Sequence, residues 1–425
     1  MNVKILFSCL IYILFQCAAN VGFSKVKPSV SVFSELNQRK GVPNFLEKAL
    51  RGDSIKVAYF GGSITAQNGW RVYSLDWFKQ RFPKARFSEI NAAIGGTGSD
   101  FGAFRIHDQV LKFKPDLVFV EFAVNDGSTA PEKIVRSMEG IVRQIWSQNE
   151  GTDICFIYTI KEDFLQTERD GQLPTSVKIM EKVANYYGIP SINFGFEVSE
   201  MVTNKQLIFT GSANELQGNK VFSPDGVHPY TETGHQIYFE ALKRSFEMMA
   251  SGKKIQKHKL PKPLDLASFS NAKMIDVHQS MLSKNWVLET VNAQSMFSGF
   301  SNYLTSVGKT NHTGETLTIH FKGKAIGAYD VMGPDAGRVV VEIDGIIKDT
   351  ISRFDEYCTY RRMNYFVIDH LENKDHTVIF RVLADPFDKE AILSKRGEIM
   401  KNPPDFKENY WYVGKILIDG EISSK

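Results

Sequence analysis

Hydrophobic positions recur with two different spacings along the chain. Between residues 51 and 252, short runs that are almost wholly apolar alternate with stretches in which apolar residues recur at helical spacing. Apolar runs of this kind are strands buried on both faces, and the helices between them mean that the strands lie parallel in a covered sheet. The pattern predicts an α/β domain, with strands at residues 55–60, 87–94, 116–122, 154–160 and 190–194.

The C-terminal part of the chain has no helical spacing. Residues 316–321 alternate between apolar and polar, residues 339–343 are rich in valine, and pairs such as Asp344-Gly345 are typical of turns. These signals predict an all-β domain over residues 265–425, either a sandwich or a jelly roll.

Two further segments have neither pattern. Residues 20–50 are interpreted as an N-terminal segment that precedes the α/β domain of residues 51–252. Residues 253–264 are basic and contain prolines, so they are interpreted as a linker. We therefore expect the two domains to be separable, unless the all-β domain covers apolar surface on the first.

The longest apolar run lies at the N-terminus. A positive charge precedes apolar residues 5–15, which are too few to cross a hydrocarbon core of roughly 30 Å, and small residues follow. This predicts a signal peptide over residues 1–19 and a secreted or periplasmic protein with no stable membrane span. The alternative is a lipoprotein anchored through Cys17. It is disfavoured because Gln16 is not the small residue that a lipobox places before its cysteine.

Composition excludes other classes of protein. The 51 lysines and arginines against 48 aspartates and glutamates give a net charge of +3, which lacks the basic excess of a nucleic-acid-binding protein. Hydrophobic residues are 43% of the chain and charged residues 23%, as in ordinary globular proteins. The sequence has no zinc pattern of the CxxC type, and Cys155 lies in an apolar run, where a buried thiol is expected.

Reactive and polar residues follow the predicted strands. In an open parallel sheet, ligands bind beyond the carboxyl ends of the strands, so residues at these positions are expected to meet. The relevant segments are residues 61–65 (GGSIT), 94–98 (IGGTG), 123–127 (AVNDG) and, before the last helix, 223–229 (SPDGVHP).

These segments contain the parts of an acyl-transfer site. A serine hydroxyl becomes a good nucleophile when a base removes its proton, and His228 is a candidate base for Ser63. Asp225 lies three residues before the histidine and can hold its imidazole in one tautomer. The attack creates an oxyanion, for which the N–H groups of Ser63 and Gly96 and the side-chain amide of Asn125 are candidate donors.

The four segments, in this order, resemble the sequence blocks of the SGNH, or GDSL-type, hydrolases. The resemblance implies a flavodoxin-like three-layer α/β/α domain and a serine esterase without cofactor or metal. It makes Ser63 the nucleophile and completes the oxyanion hole with Gly96 and Asn125. It also assigns Asp225 and His228 to the catalytic triad.

Two positions depart from the family pattern. Gly62 stands where the first block usually has an aspartate, and Ala123 replaces a glycine two places before the asparagine. The Gly-Gly-Ser-Ile-Thr version is similar to a known subgroup. The literal motif Gly52-Asp53-Ser54 precedes the first strand, so its serine is expected at the wrong end of the sheet.

Other polar residues near these segments have two interpretations. Trp70 and Arg71 are candidate substrate-binding residues, and helix packing is the alternative for both. Arg105 is expected to pack rather than to touch substrate. Glu121 and Asp126 flank Asn125 and are expected to make structural hydrogen bonds. A metal site that uses His235 with the triad residues is disfavoured, because His235 falls inside the last predicted helix.

The sequence thus predicts an exported serine esterase that removes O-acetyl or other short acyl groups from polysaccharides or oligosaccharides. Export, an appended β domain that resembles the jelly-roll modules of some carbohydrate esterases, and the lack of an apolar lid segment favour this hypothesis. Two alternatives stay open: a lipid or short-chain thioester acyl hydrolase, and a glycan-binding protein without catalysis.

Overall fold

The computed structural model describes residues 33–212, 220–249 and 255–423. The predicted signal peptide and Cys17 lie outside these residues. Among the described residues, no helix is both long enough and apolar enough to cross a membrane.

Strands and helices alternate in the N-terminal part. The strands are β1 (Leu36–Asn37), β2 (Ser54–Gly61), β3 (Arg86–Asn91), β4 (Leu117–Glu121), β5 (Asp153–Tyr158), β6 (Ser191–Asn193), β7 (Ile208–Thr210) and β8 (Val221–Ser223). The helices are α1 (Pro43–Arg51), α2 (Ser63–Ala66), α3 (Trp70–Arg81), α4 (Ser99–Gln109), α5 (Pro131–Gln148), α6 (Glu162–Arg169), α7 (Thr175–Tyr187), α8 (Gly195–Thr203) and α9 (Gly234–Met249), with a 3-10 turn at Leu111–Phe113.

The main sheet of this domain has the strand order β1-β6-β5-β4-β2-β3. Strands β2 to β6 are parallel, and only the edge strand β1 runs antiparallel. The chain adds β3 on one side of β2 and then continues with β4 on the other side. A crevice is expected at such a reversal, beyond the carboxyl ends of β2 and β4.

Apolar residues on both faces of the sheet produce its covering layers. In β4, Leu117 and Phe119 belong to one hydrophobic core with α1, α3 and α9, whereas Val118 and Val120 belong to the other with α4, α5 and α7. Successive residues of a strand point to opposite faces, so a continuous apolar run fills both cores. The predicted α/β domain with a parallel sheet is confirmed.

The C-terminal domain is an antiparallel sheet of nine strands. Its core order is β10-β11-β17-β12-β16-β13-β14, and β15 and β9 pair with β12 and β17. The elements are β9 (Ala272–Asp276), β10 (Val287–Thr290), β11 (Ser306–Thr310), β12 (Thr316–Met332), β13 (Arg338–Ile343), β14 (Ile346–Ser352), β15 (Arg362–Ile368), β16 (Lys374–Leu383), α10 (Lys389–Ser394) and β17 (Trp411–Ile422), with 3-10 turns at Gln279–Met281, Ser298–Phe300 and Pro403–Phe406. The prediction of a C-terminal β domain is confirmed.

The two domains share a hydrophobic core. Phe101 of α4 contacts the rings of both Tyr329 and Tyr365, with 4.6 Å between ring centroids in each pair. Phe104 of the same helix contacts Phe269 at 5.4 Å. All of these rings except the partly buried Tyr365 are almost fully buried. The β domain therefore covers an apolar face of α4, the condition under which we expect the domains not to be separable.

Residues 255–264 contain no helix or strand, but they are fixed to the α/β domain. His258 is 5% exposed, bonds to Asp153 at 2.7 Å through Nε2, and stacks on Trp146 at 4.8 Å. The carboxylate of Glu139 accepts the N–H of Leu264 at 2.6 Å. This segment, here called the strap, is packed against the α/β domain and is not a flexible linker.

Candidate active site

Ser63 lies at the junction of β2 and the short helix α2. The apolar strand ends at Gly61, Gly62 is extended, and Ser63 is the first residue of the helix. The first N–H groups of a helix have no partner within it, so the N–H of Ser63 is available to an oxyanion. The serine is partly exposed, as a nucleophile must be.

Ser63, His228 and Asp225 form a continuous hydrogen-bonded series. Nε2 of His228 lies 2.9 Å from Oγ of Ser63, and its Nδ1 lies 2.7 Å from Oδ2 of Asp225. With a carboxylate beside Nδ1, the neutral ring carries its proton there and Nε2 accepts the serine proton. The structure thus brings together the three residues that the sequence predicts as a triad.

Asp225 is held by its own loop. Its Oδ1 accepts the backbone N–H groups of Val227 and His228, at 2.9 and 2.8 Å. Partial burial acts to raise the pKa of Asp225, but the hydrogen bonds from His228, Val227 and Ser223 outweigh it and hold the pKa well below its usual range. The side chain is therefore a carboxylate at neutral pH and can stabilise a positive charge on the ring of His228.

The candidate oxyanion donors lie close to the segment that contains Ser63. A Cβ atom built on Gly95 would lie 3.4 Å from Cβ of Ser63, which places the glycine loop against the serine. The next residue, Gly96, has a positive φ of 72° and no atom within 4 Å of its Cβ position, so it faces open space. On the other side, the side chain of Asn125 fills the space beside Gly62.

Glu121 orders the nucleophile segment. This carboxyl at the end of β4 is 1% exposed, and it accepts hydrogen bonds from Thr65 at 2.8 Å and from Thr159 at 2.7 Å. Burial raises the pKa of Glu121, and the bonds from Thr159, Thr65 and the Gly62 backbone act against that rise. The structural hydrogen-bonding role expected of Glu121 agrees with this position, directly beneath the serine loop.

Trp70 and Arg71 lie inside the protein. Trp70 is fully buried, with ring contacts to Phe119 at 5.6 Å and Phe194 at 5.4 Å. Arg71 is 4% exposed and donates from Nε to the carbonyl of Thr65 at 3.1 Å. Their positions do not support the predicted contact with substrate. Both residues pack under the segment that contains Ser63, because the first residues of α3 face the core.

Arg105 ties together the strand ends that carry the site. It is fully buried in α4 and donates to the carbonyls of Ala92 at 2.5 Å and Gly61 at 3.1 Å, with its guanidinium 4.3 Å from the ring of Phe60. Burial lowers its pKa to about 9. Sequence reasoning expected Arg105 to pack, but it missed this link between β2 and the glycine loop. The apolar residues on both sides of Arg105 in the sequence indicate a helix that is buried on all sides, and an arginine in such a helix needs buried hydrogen-bond acceptors.

His235 is structural in this fold. Its ring is fully buried, its Nδ1 accepts the N–H of Trp70 at 3.3 Å, and its Nε2 lies 3.1 Å from Oε1 of Gln67. Burial lowers the pKa of His235 to about 4, so the ring stays neutral. Within the described residues, no group of three or more His, Cys, Asp or Glu side chains is placed to hold a metal ion.

A cleft of about 630 Å³ extends from the glycine loop to the β domain. Its floor includes Gly95 and Gly96, and one wall is formed by residues 355–365, here called the cleft wall. Tyr357 and Tyr360 of this wall are 41% and 56% exposed.

Charges in the cleft wall are balanced by neighbours. Arg361 forms an ion pair with Asp335, and Arg362 forms one with Asp355. The cleft thus presents exposed aromatic rings and paired charges beside the glycine loop, which suits a polar ligand without net charge.

Comparison with known proteins adds two findings. Residues 52–237 match the profile of the GDSL-like lipase/acylhydrolase family, and no curated protein sequence matches the chain. Among solved structures, a two-domain esterase active on acetylated mannans superposes with a TM-score of 0.70 at 19% identity, covering 94% of this chain and 99% of that chain. The structure of such an esterase with mannopentaose gives 0.67 at 19% identity, over 89% and 94%. At this identity the likeness concerns the fold, and it extends over both domains.

The sequence match and the geometry of the site agree. The matched region contains all four sequence blocks, and their serine, asparagine, aspartate and histidine converge at the carboxyl ends of β2 and β4. Residues 52–237 of this chain belong to the GDSL-like lipase/acylhydrolase family, the SGNH hydrolases.

Proposed function

We propose that the protein is an esterase that removes O-acetyl or other short acyl groups from a glycan. The observation that carries the proposal is the hydrogen-bonded series from Ser63 through His228 to Asp225, with an open glycine loop beside the serine. Each group stands within hydrogen-bond distance of the group with which it must exchange or share a proton.

The reaction proceeds in two steps. Oγ of Ser63 bonds to the acyl carbon while its proton passes to Nε2 of His228. The tetrahedral intermediate then collapses, and the sugar oxygen leaves with the proton from His228, so that acetyl-Ser63 is formed. Water next attacks the acetyl carbon and gives a proton to His228, which returns it to Ser63 as acetate leaves. In both steps the N–H groups of Ser63 and Gly96 and the amide of Asn125 stabilise the oxyanion.

Three features support a carbohydrate substrate. The cleft wall offers Tyr357 and Tyr360, and exposed aromatic rings commonly stack on sugar rings. The pairing of Arg361 and Arg362 with carboxylates suits an uncharged glycan. The two-domain esterases that share this fold are described as active on acetylated mannans.

Export is part of the proposal. A polymeric glycan is met outside the cytoplasm, and residues 1–19 have the pattern of a signal peptide. Intact-mass measurement of the protein recovered from periplasm or medium tests this point. Loss of the residues up to Ala19 is expected, whereas a lipid-modified Cys17 would support the lipoprotein alternative.

Acetate release from acetylated mannan, xylan and pectin tests the function, with Ser63→Ala as the blank. We expect acetate from at least one glycan with wild type and none with the variant.

A series of nitrophenyl esters from acetate to octanoate separates the alternative functions, because faster turnover of the octanoate ester would favour a lipid hydrolase. Absence of acetate together with an unreactive Ser63 towards a fluorophosphonate would favour a glycan-binding protein.

A further inference from the structure

A tyrosine of the β domain contacts the start of the helix that follows the glycine loop. The hydroxyl of Tyr365, in β15, donates to Oδ1 of Asp100 at 2.7 Å. Asp100 is the second residue of α4, and the loop that contains Gly96 leads directly into this helix. The ring of Tyr365 stacks on Phe101 at 4.6 Å with an interplanar angle of 15°, so the hydroxyl has a fixed direction.

Asp100 is an anchored partner for this hydroxyl. The side chain is buried, its Oδ1 also accepts the N–H of Phe101 at 2.8 Å, and its Oδ2 pairs with Lys133 at 3.0 Å. A carboxylate in the first turn of a helix is further stabilised by the helix dipole. A Cβ atom built on Gly98, the last residue of the glycine loop, would lie 3.1 Å from the same Oδ1 of Asp100. The tyrosine is therefore bonded to a carboxylate that lies at the start of α4 and against the end of the glycine loop.

The opposite side of the same turn is held by the catalytic domain. Asp126 follows the oxyanion residue Asn125, and its Oδ1 accepts the N–H of Ser99 at 3.0 Å. A Cβ atom on Gly98 would lie only 2.5 Å from that oxygen, so the loop fits closely against the aspartate. Residues 98–100 are thus clamped between the Asn125 turn and the β domain.

We propose that Tyr365 is a positioning residue for acyl transfer, which fixes residues 98–100 and thereby holds the N–H of Gly96 in the oxyanion hole. The inference rests on the proposed esterase function and deepens it, because it gives the β domain a role in the chemical step as well as in substrate binding. An oxyanion donor is effective only when it is oriented before the charge develops, and the loss of one donor costs roughly 100- to 1,000-fold in turnover. If the N–H of Gly96 is displaced rather than removed, we expect turnover to fall by a smaller factor than that.

Tyr329 provides a matched control for this tyrosine. Its ring also contacts Phe101 at a centroid distance of 4.6 Å, and its buried hydroxyl has no hydrogen-bond partner among the described residues. Tyr365→Phe and Tyr329→Phe therefore remove the same atom from the same aromatic cluster. Only the first removes a hydrogen bond to Asp100, which lies against the end of the glycine loop.

The experiment compares the two variants in the full chain with 4-nitrophenyl acetate. Tyr365→Phe is expected to lower kcat about 10- to 100-fold, with KM changed less than about twofold, whereas Tyr329→Phe keeps wild-type kcat. The affinity for phenylboronic acid, whose tetrahedral adduct on Ser63 places an oxygen in the oxyanion hole, should fall by the same factor as kcat/KM. A purely structural contact would lower the melting temperature without this parallel loss.

A second pair of variants covers the case in which Tyr365→Phe does not fold. Asp100→Asn keeps an oxygen that accepts the hydrogen bond of the tyrosine and should retain most of kcat, whereas Asp100→Ala, which also removes the contacts with Phe101 and Lys133, should lose at least as much as Tyr365→Phe. In the double variant, Asp100→Ala with Tyr365→Phe, the losses should not add, because both remove one contact.

The inference and the proposed function fail in different ways. An active wild type with unchanged kcat in Tyr365→Phe, or equal losses in Tyr365→Phe and Tyr329→Phe, would overturn the inference alone. A wild type that neither hydrolyses esters nor reacts at Ser63 with a fluorophosphonate would overturn the esterase function itself.

Discussion

The side chain of Asn125 occupies the space beside Gly62 that any other residue would need for its Cβ atom. This relationship explains the first departure from the family pattern. An aspartate at position 62 would collide with the amide expected to bind the oxyanion. The ordering of the serine loop falls instead to Glu121, which reaches Thr65 from the neighbouring strand.

Gly62→Ala should therefore lower kcat about 100-fold or more, because the new methyl group displaces Asn125 from the oxyanion. Steady-state kinetics with 4-nitrophenyl acetate measure the effect. Gly299→Ala is the matched control, since its Cβ would meet no atom within 4 Å, and it should behave as wild type. Full activity in Gly62→Ala would show that Asn125 is not needed as a donor.

Ser63→Ala should abolish ester hydrolysis while the melting temperature changes by only a few degrees. The hydroxyl is partly exposed at the first residue of α2, so its removal leaves no cavity. Ser54→Ala is the control, because that serine belongs to the literal Gly-Asp-Ser sequence but starts β2 at the opposite end of the sheet. If Ser54→Ala were the inactive variant instead, the active site would have to lie at the amino ends of the parallel strands.

His228→Ala and Ser63→Ala should cause equal losses that do not add in the double variant, since serine and histidine act as one proton-transfer unit. Asp225→Ala should be less severe, because the carboxylate orients and stabilises the imidazole without attacking the substrate. Rates of aryl acetate hydrolysis for the three single variants and one double variant provide the test. Additive losses would contradict a shared step.

Asp126 should make the protein less stable as the pH rises. Burial raises the pKa of Asp126 to about 7, so between the ordinary aspartate pKa of about 3.9 and that value the native state binds more protons than the unfolded chain. Its contribution to the free energy of unfolding then falls by up to about 1.4 kcal/mol per pH unit in this window.

Asp126→Asn keeps an acceptor for Ser99 but cannot ionise, so urea unfolding between pH 4 and 7 should show a flatter profile than wild type. Asp163→Asn, with a side chain that is 78% exposed, is the control and should keep the wild-type slope. Equal slopes in wild type and Asp126→Asn would mean that Asp126 is already ionised in the native state.

A chain that ends at Leu264 should fail to fold, because it exposes Phe101, Phe104 and the rest of the apolar face of α4. Soluble yield and a thermal melt of the fragment test this expectation. A cooperative melt and undiminished turnover of small esters would show that the domains are separable and would also argue against a role for Tyr365.

Local sequence patterns are sufficient to predict the sheet, and the family resemblance adds the three triad candidates that the structure brings within hydrogen-bond distance. Strand periodicity located the carboxyl ends of β2 and β4, and the residues that follow those ends must lie near the crevice whatever the details of packing. The positions of Trp70 and Arg71 depend on the rotation of α3 about its axis, which short-range spacing does not determine. The contact of Tyr365 with Asp100 joins residues 265 positions apart, so no local pattern contains it.

The shared core also has a consequence for biosynthesis. When α9 has been made, some 170 residues of the strap and the β domain have still to be synthesised, and at roughly 5–20 residues per second this takes on the order of ten to thirty seconds. During that time the apolar face of α4 has no cover, although the nucleophile, oxyanion and triad residues already exist. The nascent α/β domain is therefore expected to depend on a chaperone, or to delay its folding, until β15 and β17 cover the helix.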